Sequence, residues 1–162
     1  MKAIIGVDPG LSGALAAITA EGLQLTAMPV FKAGKRCYID ESNVVSWLVE
    51  HALRDARVFI ESVHAMPGQG VTSMFTFGTG WGQLRGICAG LGIPYELVRP
   101  QEWQREMLAG QPEDAEYLVA SRLWPHADWR ATPRATKPHS GMVDAALIAE
   151  YGRRRSAGKD AS

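Results

Sequence analysis

Three short apolar runs of β type crowd into the first 29 residues: Ala3 to Asp8, Ala14 to Thr19 and Leu23 to Pro29. Pro9-Gly10 and Glu21-Gly22 punctuate them as turns. Runs this close leave no room for a crossover helix, so they pair as an antiparallel meander. A polar loop, Lys32 to Tyr38, follows, and then a helix from Glu41 to Asp55 with Asp40 as N-cap and Val44, Trp47, Leu48, His51 and Leu53 broadly on one side. Arg57 to Glu61 reads as a fourth strand, Ser73 to Leu91 as a helix, and Tyr95 to Arg99 as a fifth strand. Helical stretches at Gln101 to Leu108, Glu113 to Leu123 and Gly141 to Arg154 complete the order. A meander followed by crossover units predicts an α/β domain: a mixed five-stranded sheet with helices on both faces and a functional edge at the strand ends.

A chain of 162 residues at 46% hydrophobic suits one core rather than two. Residues 1–155 form the expected domain, and the Gly/Ser/Asp-containing stretch 156–162 is expected to be a disordered tail. No apolar run reaches the roughly 18 residues of a membrane helix, and the start runs directly into a strand pattern, so the expected location is the cytoplasm. Cys37 and Cys88 lie far apart without Cys-x-x-Cys spacing, which speaks against a disulfide framework or a zinc site. Seventeen basic and seventeen acidic residues balance, so any nucleic-acid surface must come from local asymmetry. Lys32, Lys35 and Arg36 form one basic cluster, Arg130, Arg134 and Lys137 a second, and Arg153 to Arg155 a third. In the helix after the Gly-rich loop from Ala65 to Val71, Gly78, Gly82, Gly86 and Gly90 recur every four residues on one face. Each costs about 1 kcal/mol relative to Ala, which predicts a face packed very closely, first of all on the protein's own sheet.

Three acids interrupt otherwise apolar patterns. Asp8 ends the first strand, Glu61 ends the fourth, and Asp144 sits within Gly-Met-Val-Asp-Ala-Ala-Leu-Ile-Ala of the last helix. A right-handed crossover makes the first and fourth strands neighbours and puts Asp8 beside Glu61. Clustered carboxylates repel one another and invite a divalent cation, and oxygen ligands favour Mg²⁺ or Mn²⁺ over zinc. Two such ions can activate water and stabilise the leaving oxygen of a phosphodiester.

The segment Ile5-Gly6-Val7-Asp8-Pro9-Gly10-Leu11-Ser12-Gly13 resembles the first motif of the RuvC-type Holliday junction resolvases, and Phe59-Ile60-Glu61-Ser62-Val63 resembles their second. Gly82-Gln83-Leu84-Arg85-Gly86 is similar to the family's Gly-Gln-Ala-Arg-Gly helix start, and Asp144 to Ala149 to its terminal acidic helix. Pro100 and Trp103 are similar to a Pro-x-x-Trp of phage-type members. The motifs keep the family's order from residue 5 to residue 149. The resemblance implies an RNase H-like fold and a homodimer that cuts four-way DNA junctions symmetrically, with Mg²⁺ held by Asp8, Glu61 and Asp144. It also leans towards a bacterial setting of phage or prophage origin.

Two departures follow from the same resemblance. The family's fourth ligand, three residues before the last Asp, falls on Gly141, and His139 is the nearest substitute as ligand or general base. The middle helices, where phosphate-binding lysines would be expected, read Gln101-Glu102-Trp103-Gln104-Arg105-Glu106 and Pro112-Glu113-Asp114-Ala115-Glu116. Lys32, Lys35, Arg36, Arg85 and Lys137 are the cationic candidates for DNA contact. Between Glu61 and the glycine-bearing helix lie His64, Met66, Met74, Phe75 and Phe77, and the family's corresponding loop inserts apolar side chains at the junction's centre. Phe75 and Phe77 are two apart, so one helix cannot turn both inward. Two other functions fit parts of the pattern: a non-catalytic DNA-binding or assembly protein on the same fold, and an actin- or sugar-kinase-like ATPase, which needs a second lobe.

Overall fold

The structure is a computed structural model that describes residues 2–52, 55–62, 68 and 70–160. Its elements run β1 (Ala3–Asp8), β2 (Ala14–Thr19), β3 (Gly22–Ala27), β4 (Val30–Ala33), β5 (Arg36–Ile39), α1 (Glu41–His51), β6 (Ala56–Glu61), α2 (Val71–Gly90), β7 (Tyr95–Val98), α3 (Pro100–Met107), α4 (Glu116–Leu123) and α5 (Ser140–Asp160). The main sheet has the order β3-β2-β1-β6-β7. Its first three strands pair antiparallel, whereas β1, β6 and β7 are mutually parallel neighbours. This is the expected mixed five-stranded sheet.

Strand alternation divides the interior into two cores. Ile4, Ala14, Ala16 and Phe59 point towards α3, α4 and α5, where Trp103, Ala120, Leu147 and Ile148 meet them. Ile5, Val7, Leu15, Val58 and Ile60 point the other way, onto Val44 and Leu48 of α1 and Leu84 and Cys88 of α2. Helices therefore cover both faces. Asp40 caps α1 as expected, its carboxylate accepting the Asn43 N–H at 3.1 Å. Leu53, placed on that helix by its periodicity, lies outside the described residues.

Four expectations are corrected. The polar stretch 32–38 is not a loop but most of a hairpin: Phe31 pairs with Tyr38 and Lys32 with Cys37 across a two-residue turn in which Gly34 takes φ +62°. Its first strand is exposed and its tip is rich in cations, so it lacks the apolar alternation that marks a strand. The helix expected from Glu113 starts at Glu116, because Asp114 adopts φ +56°, which an α-helix cannot contain. The last helix continues to Asp160 through part of the expected tail; Ser156, Ala157 and Lys159 are all compatible with helix, and only Gly158 is costly there.

The fourth correction concerns α2. A Cβ built on Gly78, Gly82, Gly86 or Gly90 would meet nothing within 4 Å, so this face does not pack on the sheet. The packed glycine is Gly80, whose Cβ would come within 2.9 Å of Ile39 on the hairpin. The four-residue stripe instead faces outward, and α2 touches the core through Leu84 and Cys88.

The helix on the opposite face sits unusually low on the sheet. A Cβ at Gly6 would fall 2.0 Å from the Ala145 carbonyl oxygen, and one at Gly152 would fall 2.3 Å from the Phe59 ring. Backbone meets backbone where β1 crosses α5. That contact sets the geometry of the candidate site.

Candidate active site

Val7 pairs with Ile60 in the parallel ladder, so Asp8 and Glu61 follow one register step later, at adjacent strand ends. Both continue the face of Gly6 and Phe59, the face covered by α5. Asp144 lies in the second turn of that helix, one residue before the carbonyl that Gly6 approaches. The topology thus gathers the three acids singled out in the sequence at one edge of the sheet.

Their electrostatics agree with that placement. Burial pushes the Asp8 carboxyl above its ordinary range, against one lowering hydrogen bond from the Gly10 N–H. Glu61 is raised mainly by burial; the Trp103 indole opposes this, and the charge of Asp8 adds to it. Asp144 is pushed up to about 7 by burial first, then by the charges of Asp8, Glu61 and Glu116. The acids feel one another through space, yet among the described residues no three His, Cys, Asp or Glu side chains converge closely enough to hold one ion. The repulsion they share is what a divalent cation offsets, and their hard oxygens suit Mg²⁺. The donor set fits such an ion in chemistry and charge.

Glu61 is held from two helices. The Trp103 indole N–H donates to its carboxylate at 2.8 Å, and the Trp81 indole N–H donates to its backbone carbonyl at 3.1 Å. Trp103 is itself 1% exposed, wedged in the core beneath α3. The sequence offered it only as part of Pro-x-x-Trp, with no sign that the indole reaches the acid. Glu116 is the other residue missed. It stands in the first turn of α4, within an acidic stretch that reads as solvated surface, and only the packing of α4 on α5 brings its charge to Asp144.

His139 caps α5: its Nδ1 accepts the Met142 N–H at 3.2 Å, and its carbonyl accepts the first helical bond from Val143. A Cβ at Gly141 would lie 2.7 Å from the Ser12 carbonyl oxygen and 2.8 Å from Gly13. The β1–β2 turn fills the space that a side chain at Gly141 would need.

The DNA-contact candidates fall in separate places. Lys32, Lys35 and Arg36 are exposed on the β4–β5 hairpin, and none makes an ion pair among the described residues. Phe75 is 77% exposed on the first turns of α2, whereas Phe77 is half-buried above the β1–β2 turn near Gly10. The two rings do diverge. Arg85 lies over the Trp81 ring at 4.5 Å with its Nε buried and unpartnered. Lys137 is exposed in the loop before α5. Of the other cations, Arg130 pairs with Asp128, Arg153 and Arg154 with Glu150, and Arg155 with Glu96, which makes the third cluster largely self-neutralised. His64 and Met66 lie outside the described residues.

No family model and no curated protein sequence matches this chain. Solved structures do. RuvC of Thermus thermophilus is 17% identical with a TM-score of 0.57, covering 95% of this chain and 96% of its own. The same protein in complex with a Holliday junction substrate is 16% identical with a TM-score of 0.58, covering 96% of this chain and 97% of its own. The yeast mitochondrial Holliday junction resolvase Ydc2 is 13% identical with a TM-score of 0.58, covering 94% of this chain and 78% of its own. At these identities the likeness is one of fold: the chain has the RNase H-like fold of the RuvC-type resolvases.

Proposed function

We propose that this chain, built on the fold of the RuvC-type resolvases, is a Mg²⁺-dependent endonuclease that cuts four-way DNA junctions. The observation that carries the reading is the gathering of Asp8, Glu61 and Asp144, half-buried, at one sheet edge where β1 and β6 end beneath α5. Three carboxylates half-buried in such a place cost stability.

Asp8, Glu61 and Asp144 are the residues that would hold the metal. Two Mg²⁺ ions, with Mn²⁺ as a substitute, supply activation of water and stabilisation of the leaving oxygen. The chain's own part is positional and protonic. Trp103 engages one Glu61 oxygen and leaves the second available. In the metal-free chain Asp144 keeps its proton up to about pH 7, and a bound divalent cation would favour its ionised, ligating form. His139 accepts at Nδ1, which leaves the ring proton on Nε2 as a donor towards a phosphate or water, and a ligand or base role would require it to give up the capping bond. Lys32, Lys35, Arg36, Arg85 and Lys137 are the cations offered to phosphates.

Symmetric cutting of a junction needs two matched sites, so the active form is a homodimer. The outward glycine stripe of α2 suits the contact, since Gly78, Gly82, Gly86 and Gly90 let another backbone approach closely. Incubating the purified protein with a synthetic four-way junction across a Mg²⁺ series tests the proposal. Paired nicks from wild type, with junction binding but no nicks from Asp8→Asn, are expected. A protein that binds the junction and leaves it intact at every Mg²⁺ and Mn²⁺ concentration is a non-catalytic junction binder.

A further inference from the structure

The parallel pairing of β1 with β6 leaves one carbonyl without its ladder donor, and that carbonyl belongs to Glu61. The first bond of the ladder runs from the Ala3 N–H to the Asp55 carbonyl at 3.0 Å. Parallel strands repeat such bonds every second residue, and the register holds from Ala3 with Ala56 to Val7 with Ile60. Three steps on, the residue that should donate to the Glu61 carbonyl is residue 9. It is proline, which has no N–H to give. On its other side β6 keeps its bonds, the Ser62 N–H donating to the Val98 carbonyl at 2.6 Å.

The vacant place is taken from α2. The Trp81 indole N–H donates to the Glu61 carbonyl at 3.1 Å, across twenty residues of chain. Two neighbours fix the ring there. Gly80 lets the helix seat against Ile39, where a Cβ would come within 2.9 Å, so α2 is held at the residue next to the indole. The Arg85 guanidinium lies over the ring at 4.5 Å, attracted by its π face. A half-buried indole N–H generally finds some acceptor; here the acceptor is a strand-end carbonyl that the neighbouring backbone cannot satisfy.

We infer that Trp81 is a positioning residue for Glu61: its indole stands in for the N–H that Pro9 lacks, fixes the end of β6, and so holds the Glu61 carboxylate where it can share a divalent cation with Asp8. The role of the cation rests on the metal-dependent nuclease reading; the hold on the strand does not. The two indoles divide the task, Trp81 fixing the backbone of Glu61 and Trp103 its carboxylate. Without the Trp81 bond the end of β6 is free to move. A carboxylate that must find its place at each binding event takes a cation more weakly than one already in place.

Two measurements on the full chain without DNA provide the test: Mn²⁺ binding by calorimetry, and hydrogen exchange of the Ser62 amide by NMR. Trp81→Phe keeps an aromatic ring and removes the N–H. It is expected to bind Mn²⁺ about tenfold more weakly, the scale of losing a group that orients a ligand. Its Ser62 amide is expected to exchange about fivefold faster, the scale of one hydrogen bond. Adding Pro9→Ala to Trp81→Phe returns an N–H to residue 9 and should recover most of both losses, which a space-filling role for Trp81 cannot produce. Cys88→Ala, packed in the core further along α2, controls for general loosening of the helix and should leave both values as in wild type. Mn²⁺ affinity indifferent to Trp81 overturns the inference and leaves the metal reading. So does a shift of equal size in Cys88→Ala, or a double variant, shown folded by its melting temperature, that recovers neither loss. A wild type that binds no Mn²⁺, while Ser62 exchange follows the expected pattern, overturns the metal reading and leaves Trp81 as the strap of β6.

Discussion

Replacing Asp144 with Asn should abolish cleavage and at the same time stabilise the metal-free protein, increasingly so as pH rises. The Asp144 carboxyl rises from its ordinary 3.8 to about 7 in the folded chain. A folded acid with raised affinity holds a proton that the unfolded chain has already lost, so the folded state loses stability as pH climbs from about 4 to about 7 and then levels off. At roughly 1.4 kcal/mol per pKa unit the full loss is about 4 kcal/mol, of which about 3 kcal/mol accrues between pH 5 and pH 8. Asn has no proton to lose. For a chain of this size about 2–4 °C accompanies each kcal/mol, so the variant's melting-temperature advantage should widen by about 6 °C or more from pH 5 to pH 8. Mg²⁺ at pH 8 should narrow the gap by stabilising wild type alone. Differential scanning fluorimetry at the two pH values, with and without Mg²⁺, measures this. An advantage that is the same at pH 5 and pH 8 would refute the buried, acid-crowded setting of Asp144.

Three further outcomes are expected. Trp103→Phe removes a hydrogen bond to a charged group worth about 1.5–3 kcal/mol; the half-maximal Mg²⁺ requirement for cleavage should rise at least tenfold, and a metal titration showing wild-type demand would make Trp103 a core residue only. His139→Ala should lower stability by about 1 kcal/mol through loss of the α5 cap, whereas His139→Asn should restore it; cleavage assays on the same pair separate capping from a ligand role, because only a ligand role leaves the folded Asn variant slow and Mn²⁺-responsive. Gly82→Arg should leave the fold unchanged, since nothing lies within 4 Å of its Cβ position, and should convert a dimer to a monomer in sedimentation at micromolar concentration. A Gly82→Arg protein that sediments as wild type would remove the stripe from the interface.

The sheet was legible because its strands are short apolar runs separated by glycine and proline turns, and because Asp8 and Glu61 each end such a run. The hairpin was not, since Lys32, Lys35 and Arg36 break the alternation that marks a half-buried strand, and only Ile39 at its base reaches the core. The glycines of α2 were read correctly as a face and wrongly as a packed one, because periodicity reveals which residues share a side of a helix but not what lies opposite. Trp103 and Glu116 reach the acids across separations of 42 and 28 residues in the chain, distances over which local pattern carries no information. The vacancy at the family's fourth-ligand position was visible as Gly141, but the Ser12–Gly13 backbone that fills the space beside it belongs to packing alone.

The low seat of α5 on β1 bears on how the protein fails when heated. Asp8 and Asp144 are mounted on backbones that touch at Gly6 and Ala145, with no layer of side chains between them to slide or repack. Local fraying of the central strand or the helix's second turn would have to separate that contact first, which places both segments in the last unit to open. Amide hydrogens of Ile5 to Val7 and Ala145 to Ala149 should consequently exchange only through global unfolding, and the proposed nuclease activity should be lost on warming along the same curve as the whole fold.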